Sequence, residues 1–333
     1  MGRLPAPLAA AEMLADAIAS EQGRRAWLHP VRLPPEGVEA VGDQRALALL
    51  LAEQGRELEE NLQGRYEAIA VSPMRNRIAT LGLLARAWLH LKPGGRLWFA
   101  AANDEGARGY EKQLKQLGLP SSSSKRHARL MRLQKENDAG DAIAWRWLEE
   151  AQPRWVEALG CFSMPGAFSW RRPDPGSALL VRELQRAGAV LEGEGADFGC
   201  GIGWLALQLR PAGRVHLVDA DRAALRLAAR NLNEAGIAYR VHWLDLQQER
   251  PPARFDWIVC NPPHHRAHGT AADVSLGIAF VRACAEALAP KGVAWIVANR
   301  RLPYEGALSS WRDVRLSVLC EEGGYKVLRI DRR

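Results

Sequence analysis

The stretch Phe255-Asp256-Trp257-Ile258-Val259-Cys260-Asn261-Pro262-Pro263-His264 decides the fold. Its first six residues make an apolar run that reads as a buried parallel strand. The strand has to stop at Asn261, because proline fixes φ and lacks the N–H that a ladder needs. Two consecutive prolines then hold a short rigid loop at the carboxyl end of the strand, where open α/β sheets bind ligands. An Asn amide there offers a carbonyl oxygen that can accept from a substrate –NH2, and the Pro262 carbonyl is a second acceptor for the same amine. A planar amine held by its protons keeps its nitrogen lone pair turned toward an electrophile. That geometry suits methyl transfer to an exocyclic or amide nitrogen. Asn-Pro is also an ordinary turn signal, so the rest of the chain has to decide.

Outward from this loop, one order of elements occurs twice. In the second half, Val274 to Leu288 carries apolar residues at helical spacing, Ala289-Pro290-Lys291-Gly292 reads as a turn, and Val293 to Ala298 as a strand reaching Asn299. In the first half, Glu67 to Val71 reads as a strand and Ser72-Pro73-Met74-Arg75 as the loop. Ile78 to Leu91 follows as a helix, Lys92-Pro93-Gly94-Gly95 as a turn, and Arg96 to Ala101 as a strand reaching Asn103. Strand–helix–strand units are common. The matching ends, Trp98-Phe99-Ala100-Ala101-Ala102-Asn103 and Trp295-Ile296-Val297-Ala298-Asn299, argue instead for a duplicated α/β unit. The copies differ where chemistry would sit, since Ser72-Pro73-Met74 replaces Asn-Pro-Pro and the first half has no Gly-rich loop ahead of a helix.

Upstream of the proline loop lies Asp197-Phe198-Gly199-Cys200-Gly201-Ile202-Gly203, followed by a helical pattern to about Leu209. Glycines at alternate positions let the backbone turn tightly and approach a ligand. The helix start adds N–H groups for a carboxylate or phosphate. The next strand, Arg214 to Val218, ends in Asp219, whose carboxylate can accept from both ribose hydroxyls of a nucleoside. After a helix from Arg222 to Glu234 and a strand from Tyr239 to Leu244 comes Asp245, placed to accept from an adenine amino group. Either acid alone reads equally well as a polar strand end; at consecutive strand ends they favour a site.

With 333 residues and 47% hydrophobic content, the chain can build two domains with real cores. Apolar runs fall short of the roughly 20 residues that a membrane span needs. Glu12 and Asp16 interrupt any signal-peptide core, so a cytoplasmic protein with no membrane partner is expected. The five cysteines are scattered without a C-x-x-C pair and read as small buried groups of a reducing compartment. The formal charge is +7, and from Arg108 to Lys135 there are eight Arg/Lys against the single acid Glu111. A phosphate backbone suits such a patch, although many charge runs are only solvated faces. His264, His265 and His268 lie close together without Cys or carboxylates at ligand spacing, so no metal is expected.

The D-x-G-x-G-x-G run, the acids ending the next two strands and the N-P-P ending a fourth resemble class I S-adenosylmethionine-dependent methyltransferases. The loop is not the spaced G-x-G-x-x-G of dinucleotide binders. This resemblance implies that Asp197, Phe198, Gly199, Gly201 and Gly203 surround the methionine part of S-adenosylmethionine. Asp219 would hold the ribose, Asp245 would contact the adenine, and Asn261 would border both cofactor and substrate.

The second half further resembles the 16S ribosomal RNA guanine-N2 methyltransferases of the C type, which act on the small ribosomal particle, and their G-type relatives, which act on the large one. The likeness rests on Gly160-Cys161-Phe162-Ser163, Asp197 to Gly203, Asn261-Pro262-Pro263 with His265, and Val297-Ala298-Asn299 with Leu302-Pro303-Tyr304. It implies a tandem duplication of Rossmann-like α/β domains, mostly parallel sheets flanked by helices. Residues 1–150 would be a degenerate methyltransferase-like domain serving substrate recognition or stability, 151–175 a connector and 176–333 the catalytic domain. Methyl transfer to a guanine N2 of ribosomal RNA would use Asn261, Pro262, Pro263 and His264, leaving S-adenosylhomocysteine. His264, His265, Lys125, Arg126 and Arg129 would meet the RNA or ribosomal subunit, and the chain is expected to act as a monomer. Two departures stand out: His264 replaces the family's Phe or Tyr, and Glu192-Gly193-Glu194-Gly195-Ala196 reads as a poor strand before Asp197. Adenine-N6 or protein glutamine methylation, and a non-catalytic RNA-binding assembly factor, are the alternative readings.

Overall fold

The computed structural model describes residues 6–263, 274–308 and 310–333. The chain divides into two compact units, Met1–Gln152 with Met164–Gly166, and Pro153–Ser163 with Ala167–Arg333. The proline-rich stretch between the halves is therefore shared between the two units.

The first unit runs α1 (Ala6–Ala19), β1 (Arg25–Leu28), β2 (Val38–Val41), α2 (Arg45–Ala52), β3 (Leu58–Glu59) and β4 (Tyr66–Val71). It continues through α3 (Arg77–Leu89), β5 (Leu91–Ala102), α4 (Ala107–Leu114), β6 (Ser121–Lys125), β7 (Ala128–Gln134) and α5 (Asp141–Glu150). Its seven strands form one sheet in the order β3-β2-β1-β4-β5-β7-β6.

The second unit begins with the hairpin β8 (Arg154–Val156) and β9 (Cys161–Ser163), then α6 (Pro175–Arg186), β10 (Glu194–Phe198), α7 (Trp204–Leu209), β11 (Arg214–Asp219) and α8 (Arg222–Glu234). There follow β12 (Tyr239–Trp243), β13 (Phe255–Cys260), α9 (Val274–Ala287), β14 (Leu288–Asn299), a 3-10 turn at Tyr304–Leu308, β15 (Val314–Glu322) and β16 (Tyr325–Arg332). Its main sheet has the order β12-β11-β10-β13-β14-β16-β15.

These two orders are one topology. In each sheet the first five strands are parallel, the sixth (β7 or β16) runs antiparallel to them, and the edge strand (β6 or β15) pairs antiparallel with the sixth. Even the irregularity repeats, since the register slips between Tyr66 and Ala68 in one sheet and between Phe255 and Trp257 in the other. The duplication seen in the strand pattern is thus a property of the fold. The Pro-Gly turns are a local difference from the sequence reading. Lys92–Gly95 and Ala289–Gly292 are drawn into the long strands β5 and β14, and the register slip absorbs the bend.

In the second unit β13 is covered on both faces, as a central parallel strand should be. Ile258 and Cys260 pack with Phe280, Val281 and Cys284 of α9, while Trp257 and Val259 pack with Leu180 and Leu184 of α6 and Leu225 of α8. The apolar run is continuous because alternate residues enter two different cores.

The strand preceding Asp197 corrects an expectation. Despite its glycines and glutamates, β10 pairs with β11 along its whole length and with β13 from Gly195 to Phe198. A Cβ on Gly195 would lie 1.8 Å from the Trp257 ring. The indole of the neighbouring strand fills the volume that an apolar side chain would have occupied. The glycine is therefore a packing requirement, and the cofactor loop hangs from a firmly seated strand.

Candidate functional site

The Asn261 loop leaves the carboxyl end of β13, and the Gly-rich loop leaves the adjacent end of β10. Phe198 pairs with Cys260, so Gly199 and Asn261 each lie one residue past a paired position. Gly199, Gly201 and Gly203 all have positive φ (70°, 52° and 77°), where a side chain would be strained. Gly199 also lies against the proline loop, since a Cβ there would meet the Pro263 ring at 3.8 Å. Helix α7 has only six residues, so the loop's shape matters more here than a helix dipole.

Asp197 is wholly buried, and among the described residues neither carboxylate oxygen has a partner in full hydrogen-bond geometry, although the Ala206 N–H faces the group. Burial pushes its carboxyl up to about 7. Buried acids with so few partners are rare and costly, and this one has lone pairs left for a bound cation. A cationic group such as the amino group of S-adenosylmethionine fits it. Asp219, at the end of β11, accepts from the Gly201 N–H at 2.8 Å through Oδ2 and from the Asp221 N–H at 2.9 Å through Oδ1. These N–H groups, with that of Ala220 beside them, lock the carboxylate next to the loop and leave lone pairs for a ribose diol. Asp245 lies two residues past β12 and is nearly buried; it accepts from the Gln247 N–H at 3.0 Å and from Gln248 Nε2 at 2.8 Å. The residues present therefore fit the cofactor that the loop implies.

Asn261 is held by partners that the sequence did not disclose. Its Nδ2 donates to Asp174 Oδ2 at 2.9 Å and to Ser177 Oγ at 2.8 Å. Asp174 caps α6, accepting from the Ser177 N–H at 2.9 Å. Both residues lie in an Asp-Pro-Gly-Ser helix start whose only sequence signal is that of an N-cap.

The matching positions of the first unit are closed. Leu28 pairs with Val71 as Phe198 pairs with Cys260, so Trp27 stands at the position of Asp197 and Ser72 at that of Asn261. The buried Trp27 donates its indole N–H to Ser72 Oγ at 2.9 Å. No helix lies between β1 and β2 where α7 lies between β10 and β11.

The family model described as the methyltransferase small domain matches residues 158–329. The ribosomal RNA small subunit methyltransferase C of Hahella chejuensis (strain KCTC 2396) is 32% identical over 253 residues, which cover 71% of this chain and 69% of that protein. The protein of that name from Pseudomonas aeruginosa (strain LESB58) is 34% identical over 249 residues, 72% of each chain. The chain belongs to this methyltransferase family. Among solved structures, the T. thermophilus 16S rRNA N2 G1207 methyltransferase (RsmC), in complex with AdoMet and guanosine, aligns with a TM-score of 0.83 at 27% identity. That alignment covers 98% of this chain and 92% of the other. The two-unit fold is that of the family, and S-adenosylmethionine is its cofactor.

The structure brings Asp197, Phe198, Gly199, Gly201, Gly203, Asp219, Asn261, Pro262 and Pro263 to neighbouring strand ends, whereas His264 and His265 lie outside the described residues. The basic segment is less free than its charge suggests. Lys125 and Arg126 are exposed at the β6–β7 hairpin, whose turn residues Arg126 and His127 both have positive φ. Arg126 pairs with half-buried Glu12 at 3.2 Å, a weak tie because the guanidinium side is solvated. Arg129 instead is half-buried and paired with Glu111, and Lys135 is buried against Asp141 at 2.8 Å. Among the described residues no cluster of His, Cys, Asp or Glu could hold a metal, and no helix is long and apolar enough to cross a membrane.

Proposed function

We propose that this chain transfers a methyl group from S-adenosylmethionine to the exocyclic N2 amine of a guanine in 16S ribosomal RNA. One observation carries the placement of the chemistry: the Phe198–Cys260 pair sets the cofactor loop and the amine-holding loop on neighbouring parallel strands. Such strands are about 4.8 Å apart, so methyl donor and acceptor meet in one crevice. The choice of guanine N2 and of 16S RNA is supported by the family and by the T. thermophilus enzyme at TM-score 0.83.

When bound, S-adenosylmethionine supplies a methyl group on a sulfonium, which is already a good electrophile. The residues of this chain therefore contribute proximity and alignment more than acid–base chemistry. Asp197 faces the positive end of the cofactor and Asp219 accepts from its ribose. Asp245 accepts from the adenine amino group. Asn261 Oδ1 and the Pro262 carbonyl accept from the target amine and orient its lone pair, and the amine gives up one proton to water once methylated. His264 packs on the base, which has to leave its stack to enter the pocket, and His265 shapes the same loop. Lys125 and Arg126 approach the phosphate backbone, and the closed first unit serves recognition and stability. Ribosomal RNA as substrate supports a cytoplasmic location.

Labelled S-adenosylmethionine, incubated with 16S RNA or small subunits lacking the mark, tests this reading. Digestion should release the label as N2-methylguanosine. Label found only in adenosine, or only in protein, would overturn the assignment.

A further inference from the structure

We propose that Asp174, together with Ser177, sets the flip state of the Asn261 amide and so acts as a positioning residue for the methyl-accepting amine. The proposal rests on the reading of Asn261 as the amine holder. An Asn side chain can rotate by half a turn and exchange its oxygen for its nitrogen with almost no change of shape, so only hydrogen-bond partners select one state. Here both amide hydrogens have acceptors, Asp174 Oδ2 at 2.9 Å and Ser177 Oγ at 2.8 Å. The flipped state would set Oδ1 against a carboxylate and turn an N–H donor toward the substrate amine, itself a donor. The observed state leaves Oδ1 as the end of the amide available to accept.

Asp174 is itself fixed from the other side. It caps α6 through the Ser177 N–H at 2.9 Å, and Pro175 presets the first helical φ. Gly176 leaves room for this arrangement, since a Cβ there would come within 2.9 Å of the Tyr325 ring and 3.1 Å of Asp174 Oδ2. The start of α6, which sequence reasoning assigned to a connector, thereby supports a side chain 87 positions further along the chain.

A plain helix cap would look similar, so the test separates capping from positioning. Serine caps a helix about as well as aspartate but is too short to reach the amide, whereas asparagine can do both. Asp174→Ser is expected to lower kcat by about 10- to 100-fold, as the loss of one charge-assisted hydrogen bond would. KM for RNA, the Kd for S-adenosylmethionine and the Tm should stay near wild type. Asp174→Asn should recover most of the loss, and Ser177→Ala should lose less than Asp174→Ser. Asn261→Ala should fall at least as far as Asp174→Ser, and adding Asp174→Ser to it should cost nothing more, because both remove one device. Wild-type kcat in Asp174→Ser, or losses that multiply in the double variant, would overturn the proposal while leaving Asn261 in its role. Wild-type kcat in Asn261→Ala would overturn the proposal and the reading beneath it together.

Discussion

Trp27 stands in the first sheet at the register position that Asp197 holds in the second. Both are fully buried, but one is a filled volume tied to Ser72 and the other a carboxylate with no side-chain partner among the described residues. Duplication preserved the strand and reversed its chemistry. Calorimetric titration with S-adenosylmethionine should therefore give one site per chain, and two equal sites would refute this account. Trp27→Ala should leave the stoichiometry at one while destabilising the protein by about 3–5 kcal/mol, read from denaturant unfolding.

Asp197 couples folding and cofactor binding to pH with opposite signs. Its carboxyl is pushed up to about 7 by burial, while an unfolded aspartate ionises near pH 4. Between those values the folded apoprotein holds a proton that the unfolded chain has lost, so its stability falls as pH rises through the window. A cation set against Asp197 favours the ionised form, so cofactor affinity should rise as pH approaches 7 and level off above it. Binding at pH 6.5 should release a proton, measurable by calorimetry in buffers of different ionisation enthalpy. Asp197→Asn should reduce both dependences to what the Asp219 carboxyl, also raised by burial, contributes, and weaken cofactor binding by about 10- to 100-fold, the worth of one charge-assisted hydrogen bond. Affinity independent of pH in the wild type would show that Asp197 does not meet the cofactor's charge.

What the sequence made legible and what it hid differ in range. The β13 strand, its proline stop and the glycine loop are local signals, readable within ten residues. Gly195 was misleading because the volume that seats β10 belongs to Trp257, on another strand. No single window shows cross-strand complementarity. Asp174 escaped for the same reason, since an N-cap and an amide partner look alike until the strand end beside it is known. The duplication was visible as an order of elements; its closure by Trp27 was not, because an apolar residue in a strand draws no notice. Gly195→Val checks the packing argument. It should destabilise the protein by at least about 1–3 kcal/mol through overpacking against the indole, in contrast to the gain that β propensity alone would suggest. An unchanged urea midpoint would sink the argument.

The basic segment divides by partner. Lys125 and Arg126 are exposed on the hairpin, whereas Arg129 is engaged with Glu111. Replacing both Lys125 and Arg126 with Ala should weaken RNA binding and flatten its log–log salt dependence by about 1.4, the share of two phosphate contacts on a single strand. Arg129→Ala should act mainly on stability and leave the salt slope near wild type. A slope change in Arg129→Ala as large as that of the double variant would reverse this division.

His264 occupies the place at which the family pattern has Phe or Tyr. An imidazole there can serve as a stacking surface or as an acid–base group, and substitution tells these apart. Stacking of a base on an aromatic side chain is worth about 1–3 kcal/mol, so His264→Ala should lower kcat/KM by about 5- to 150-fold. His264→Phe should then match or exceed the wild type, because a larger ring offers more face to the target base. The pH profile of kcat gives an independent reading. If the ring only stacks, replacing it with Phe leaves the profile unchanged, because the proton that the amine loses on methylation then passes to water and not to the imidazole. If Phe loses as much activity as Ala, the imidazole nitrogens are in use, and the substitution at this position marks a change in substrate contact beyond a smaller stacking face.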